Sequence, residues 1–145
     1  MSRVYLDHNA TTPVAPEVAD RVDRATREFW GNASSVHHFG QQAKAAVDDA
    51  RSQVASLLGA DASEIIFTAG GTESDNFALR GAAEALEPTG RRHLITSSIE
   101  HEAVLKTMAV LGKRGWRITL LPVAATGLVS PPALEAAMTD DTALV

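Results

Sequence analysis

Segments with the pattern of strands alternate with segments that have a helical period, and this alternation constrains the fold more than any other feature. Short apolar segments occupy residues 64–68, 93–97 and 117–121, and another apolar segment begins at Thr142. Helical patterns lie between them. Because strands that are separated by helices pair in parallel, the sequence predicts an α/β fold with a mostly parallel sheet and helices on both faces.

Apolar residues at steps of three and four predict the helices. The clearest period ends just before Gly59, a residue that commonly terminates helices. A polar loop precedes this helix, and in it we expect Gly40 to act as a flexible corner. The predicted helices cover residues 16–29, 41–58, 73–86, 102–111 and 132–138.

Charge and hydropathy exclude several classes of partner. The 18 acidic and 13 basic residues give a net charge of -5, and the basic residues are scattered along the chain. Such a distribution creates no concentrated positive field, so we expect no nucleic-acid partner. No apolar run approaches the roughly 20 residues that span a bilayer, and the first residues do not resemble a signal peptide. We therefore expect no membrane association and a cytoplasmic location.

The glycine pair at residues 70–71 stands between a predicted strand and a predicted helix, and it is followed by Thr72 and Glu73. Small residues there let backbone N–H groups approach an anion, which the helix dipole also attracts, so a phosphate could bind. Thr72 could instead cap the helix, with Asp75 completing an arrangement similar to a capping box. The local pattern leaves both interpretations open.

His101 is the second candidate for chemistry. It follows the predicted strand at 93–97, which places it at the carboxyl edge of the sheet, where ligands of open α/β folds collect. The imidazole could stack on a ring or move protons there, or it could simply cap a helix or lie on the surface. The remaining histidines, including the adjacent pair His37 and His38, do not have the spacing of a metal motif, so we predict no metal site.

Four motifs stand out in order along the chain, at residues 5–13, 31–37, 66–76 and 100–105. Taken together, they resemble the cysteine desulfurases of the class V aminotransferase-like family, which depend on pyridoxal phosphate. The resemblance spans the whole chain, and it implies part of the large domain of a fold type I transferase. It also implies an N-terminal arm at about residues 1–15, a part of the cofactor domain at about 16–145, and a chain that is incomplete at its C-terminus.

The resemblance also implies roles for individual residues. Gly71 and Thr72 would hold the phosphate of the cofactor, and His101 would stack on its pyridine ring and relay protons, which makes His101 both a cofactor-binding and a catalytic residue. The segments 7–12 and 32–37 would border the active site without a catalytic role of their own.

The activity that the resemblance implies is conversion of L-cysteine to L-alanine, with sulfur passed as a persulfide to an acceptor or an iron-sulfur scaffold protein by a homodimer. In the family, a lysine that binds the cofactor covalently, a persulfide-carrying cysteine and an aspartate lie further along the chain. This chain has no cysteine, and Lys44, Lys106 and Lys113 match no such position. We therefore expect the chain alone to be inactive. A selenocysteine lyase, another class V lyase, or a non-catalytic binding or dimerisation module are the alternatives.

Overall fold

The computed structural model describes residues 3–145, which divide into two compact units, one ending at Ile66 and the other beginning at Phe67. Each unit has its own local packing. The expected boundary near residue 15, between an arm and a cofactor domain, stays a prediction.

The first unit contains the two helices that the sequence predicts. Helix α1 spans Pro16–Glu28 and ends one residue before the predicted end. Helix α2 spans His38–Leu58 and therefore begins three residues before the predicted start. The reason is a cap, because Nδ1 of His37 accepts a hydrogen bond from the Gly40 N–H at 3.3 Å. Gly59 ends α2 in the left-handed conformation, with a φ of 67°, as predicted.

Gly40 is not the flexible corner that the sequence suggested. It is buried in the first turn of α2, where the preceding loop packs directly onto its Cα. A Cβ at Gly40 would clash with the backbone carbonyls of Ser35 and Asn32, and a Cβ at Gly31 would clash with the Phe39 carbonyl. The glycines are thus required for close approach of two backbones rather than for flexibility.

The prediction of a buried strand at residues 64–68 is wrong. A short 3-10 helix occupies Ala62–Glu64, and the residues that follow belong to no strand. Ile66 and Phe67 are 59% and 49% exposed. The segment has the apolar character of a strand, but a strand also needs a hydrogen-bonded neighbour, and the three strands of the described chain pair only with one another.

The second unit is an α/β unit with a parallel sheet. The strand order is β2-β1-β3, and both pairings are parallel, which confirms the predicted sheet type. Leu94 in the central strand pairs with Ile118 on one side and with Leu144 on the other. The elements in chain order are α3 (Gly71–Leu86), β1 (His93–Ser97), α4 (Glu102–Lys113), β2 (Arg117–Leu121), α5 (Pro131–Ala137) and β3 (Thr142–Leu144).

Helices α3 and α4 pack against each other and onto the sheet, with α3 contacting β3 and α4 contacting β2. The apolar cluster between them consists of Ala83, Leu94, Met108, Leu111 and Trp116. Because α3 leads into β1 and α4 follows it, both helices run opposite to the strand. Their N-termini therefore meet at the carboxyl edge of the sheet, which is where the candidate site lies.

The His93 side chain joins all three strands of the sheet. It is fully buried, and its two ring nitrogens hydrogen-bond the hydroxyls of Thr142, at 2.9 Å, and Thr119, at 2.8 Å. Burial lowers the pKa of His93. The charge of Arg117 lowers this pKa further, whereas the charge of Asp141 raises it. The ring is therefore favoured in its neutral form.

No helix among residues 3–145 is long and apolar enough to cross a membrane.

Candidate active site

Helix α3 begins at Gly71, and no side chain caps its first turn. Thr72 is the second residue of the helix, so the alternative in which Thr72 is the cap is wrong. The Glu73 carboxylate instead accepts a hydrogen bond from the Ala69 N–H at 2.6 Å, on the turn before the helix. Since the first N–H groups of a helix have no partner within it, those of Gly71, Thr72 and Glu73 remain for an external acceptor.

The space in front of α3 is open. Apart from its chain neighbours and the backbone of its own helix, a methyl group built on Gly70 or Gly71 would meet no atom within 4 Å. The turn itself is held by Thr68, whose hydroxyl lies 2.6 Å from that of Ser74 and donates to the Gly70 carbonyl at 3.2 Å. A fixed turn, exposed N–H groups and free space together form a place where an anion fits.

His101 is the N-cap of α4, because its Nδ1 accepts a hydrogen bond from the Ala103 N–H at 3.1 Å. This confirms the capping interpretation of His101. It leaves the ring available for a ligand, since the residue is exposed. An Nδ1 that accepts a hydrogen bond carries no proton, so the neutral ring holds its proton on Nε2.

Thr72 and His101 line one groove of about 290 Å³ between α3 and α4. The structure thus brings together two of the three residues that the sequence singled out, while Gly71 adjoins Thr72 on α3 without lining the groove. The other lining residues are Asn76, Arg80, Glu102, Ala103, Lys106, Thr107 and Val110.

The sequence did not point to a hydrogen-bonded pair in this groove, Asn76 and Thr107. The Asn76 side chain donates through Nδ2 to the Thr72 carbonyl at 2.9 Å and accepts through Oδ1 from the Thr107 hydroxyl at 2.9 Å. Thr107 is only 3% exposed. A polar residue on the buried face of a predicted helix was the one signal that could have revealed the pair.

The three lysines all lie on the surface. Lys106 lines the groove, but its side chain is 75% exposed and its Nζ lies 2.5 Å from the Glu102 carboxylate. The hydrogen bond from Lys106 and its charge lower the pKa of Glu102. Lys44 forms a similar exposed pair with Asp48, and Lys113 is exposed in the last turn of α4.

The segments 7–12 and 32–37 belong to the unit that ends at Ile66. Within the second of them, the Asn32 side chain accepts a hydrogen bond from the Ser34 N–H at 2.9 Å, and His37 caps α2. Their expected position at the border of an active site stays a prediction.

The α/β unit, with both helix N-termini at the carboxyl edge of a parallel sheet, matches part of a fold type I domain of the pyridoxal-phosphate-dependent transferases. Residues 4–145 match the family model described as aminotransferase class-V, and the chain belongs to this family. The resemblance found in the sequence is thereby confirmed.

Similar proteins carry the name "Cysteine desulfurase IscS". The protein from Dictyoglomus turgidum is 47% identical over 142 residues, and that from Photorhabdus laumondii is 50% identical over 145 residues. Each alignment covers 98% of this chain and 36% of the relative, so the chain spans about a third of their length.

Solved structures show the same likeness. A structure titled "NIFS-LIKE PROTEIN" superposes with a TM-score of 0.90 at 41% identity and covers 97% of this chain and 38% of its own. Another, titled "SspA in complex with cysteine", superposes with a TM-score of 0.85 at 39% identity and covers 95% of this chain and 40% of its own.

Proposed function

We propose that the chain is part of a pyridoxal-phosphate-dependent cysteine desulfurase, which converts L-cysteine to L-alanine and passes the sulfur on as a persulfide. The observation that carries this proposal is that Thr72 and His101 line one groove in a chain that is 47–50% identical to proteins named cysteine desulfurase.

The first turn of α3 fits the cofactor phosphate. No side chain caps it, and the space at Gly70 and Gly71 is open. Within residues 3–145, no group forms a hydrogen bond with the Thr72 hydroxyl. Gly71 and Thr72 would therefore bind phosphate oxygens through backbone N–H groups and the hydroxyl, with the helix dipole adding a favourable charge.

His101 would contact the ring of the cofactor, which when bound supplies a sink for the electrons of the substrate's broken bonds. The hydrogen bond from Ala103 fixes the orientation of the imidazole and keeps the proton of the neutral ring on Nε2. His101 can thus present a flat face for stacking and hold or move a proton at Nε2.

The remaining parts of the proposal concern the whole protein. L-cysteine is the proposed substrate, supported by the similar structure whose title names a complex with cysteine. The proposed protein partner is a sulfur acceptor or an iron-sulfur scaffold protein, and the proposed oligomer is a homodimer. We also propose a cytoplasmic location, since persulfide transfer between thiols requires a compartment where cysteines stay reduced.

Product analysis tests the function. Protein made from the complete reading frame, supplied with pyridoxal phosphate, L-cysteine and dithiothreitol, is expected to yield alanine and sulfide in equal amounts, because the dithiol reduces the persulfide. Selenocysteine is tested in parallel. A much higher rate with selenocysteine would replace the proposal with a selenocysteine lyase, and no turnover of either substrate would support the non-catalytic alternative.

A further inference from the structure

We infer that Asn76 and Thr107 form a clamp that positions Thr72 relative to His101. The two residues act through their neighbours rather than on the cofactor, so they are positioning residues. The inference rests on the proposed function, because its ligand is pyridoxal phosphate. It adds the contact that would hold the phosphate site at a fixed position relative to the ring site.

The clamp uses both ends of one amide. Nδ2 of Asn76 donates to the carbonyl of Thr72, one turn earlier on α3, and Oδ1 accepts from the hydroxyl of Thr107 on α4, both at 2.9 Å. The reverse orientation would place the amide oxygen against the Thr72 carbonyl oxygen, which is repulsive, so the network fixes the orientation of the amide.

The clamp supplies a directional contact between two helices that also pack through an apolar cluster. Further along, α3 and α4 meet through Ala83, Met108 and Leu111, which fill space but tolerate small shifts. The bond from Thr107 is shielded from water, because that residue is 3% exposed, so breaking it would leave a buried polar group unpaired. The bond therefore favours one register of α3 against α4.

The position of the clamp matters because helix ends fray. Thr72 lies in the first turn of α3, which has no side-chain cap, and the Asn76 amide is the side chain that holds its carbonyl. His101 is already fixed to the start of α4 by the hydrogen bond that its Nδ1 accepts from the Ala103 N–H. Losing the clamp would thus move the phosphate site relative to a ring site that stays in place.

The test measures cofactor affinity in the protein made from its complete reading frame. Thr107→Val removes the hydroxyl at nearly constant volume and is expected to weaken pyridoxal phosphate binding about 3- to 30-fold. Thr107→Ser keeps a hydroxyl and is expected to restore most of the affinity. The matched control is Thr26→Val, because the Thr26 hydroxyl donates to the Val22 carbonyl within α1, and the affinity of this variant should equal that of the wild type.

Pyridoxal lacks the phosphate. Comparing its affinity with that of pyridoxal phosphate therefore distinguishes a displaced phosphate site from a general disruption of the fold. The clamp predicts that Thr107→Val weakens pyridoxal phosphate far more than pyridoxal. The double variant Asn76→Leu/Thr107→Val replaces both polar partners with apolar ones, so it should melt close to wild type and still bind the phosphate form weakly.

Unchanged affinity in Thr107→Val, or an equal loss for both ligands that the double variant repairs, would overturn the clamp and leave the proposed function intact. A folded wild-type protein that binds no pyridoxal phosphate would overturn the proposed function, and the clamp with it.

Discussion

The Nε2 atom of His93 lies 2.8 Å from the hydroxyl of Thr119, and this contact links the central strand of the sheet to β2 through a fully buried imidazole. The other ring nitrogen makes the corresponding contact with Thr142 in β3. One side chain thus spans the whole described sheet, and its charge state should affect the stability of the second unit.

Acidification should destabilise the protein through His93. Burial lowers the pKa of this group below the 6.5 of an ordinary histidine, so below about pH 6.5 the unfolded chain binds a proton that the folded chain does not. The free energy of unfolding should therefore fall as the pH drops from 7 towards the lowered pKa.

Denaturant titrations at several pH values check this expectation, with His93→Gln as the variant that removes the titrating group. The pKa of Asp141 is also lowered, first by the hydrogen bond from the Arg92 N–H. It affects stability in a different pH range, because the stabilisation from Asp141 is lost only as the pH falls below the ordinary aspartate pKa of 3.8. A slope between pH 7 and 5 that is the same in His93→Gln would contradict the assignment.

Gly40→Ala should destabilise the first unit. The added methyl would clash with the carbonyls of Ser35 and Asn32, which are backbone atoms and cannot rotate away, so we expect a loss of about 1–3 kcal/mol or more. Gly81→Ala is the matched control, since its methyl would meet nothing within 4 Å in the interior of α3, and it should be neutral or stabilising by up to about 1 kcal/mol. Thermal melts of both variants measure the change in stability. Equal changes for the two substitutions would contradict the packing described for Gly40.

The 145-residue chain should form no specific covalent complex with pyridoxal phosphate. Its lysines are exposed, and Lys106, the one in the groove, is paired with Glu102. We expect no Schiff-base absorption band at stoichiometric cofactor, and no turnover of L-cysteine. A stoichiometric band that disappears when Lys44, Lys106 or Lys113 is replaced would show that the assignment of these residues to the surface is wrong.

The same chain, expressed by itself, should self-associate. Leu57 and Leu58 at the end of α2 are 84% and 66% exposed, and Phe77 on α3 is 57% exposed. Large apolar side chains in these numbers favour association in water. Light scattering on a sizing column measures the mass, and a monomer with a sharp two-state melt would contradict this expectation.

The parallel sheet and its helices were accessible from the sequence because apolar runs and helical periods are local signals. The segment at 64–68 shows the limit of such signals, since its composition predicts an extended conformation but cannot supply a neighbouring strand. The starts of helices depend on caps, and histidine is not among the usual capping residues. The cap formed by His37 was therefore not predicted, and the sequence left the cap formed by His101 as one of several interpretations.

Likewise, only part of the candidate site could be predicted from the sequence. A glycine pair before a helix pointed to Gly71 and Thr72, and position at the carboxyl edge of a strand pointed to His101. The bond between Asn76 and Thr107 joins two helices through a contact 31 residues apart in the chain, which no local pattern encodes.

The central claim is that the first turn of α3 binds the phosphate of pyridoxal phosphate. The most direct measurement compares the affinities of pyridoxal phosphate and pyridoxal for the protein made from its complete reading frame, in the wild type and in Thr72→Val. Loss of a hydrogen bond to a charged group should lower the affinity for the phosphate form by about 10- to 100-fold and leave pyridoxal nearly unaffected. Equal affinity of the wild type for the two ligands, or an unchanged preference for the phosphate form in Thr72→Val, would contradict the account.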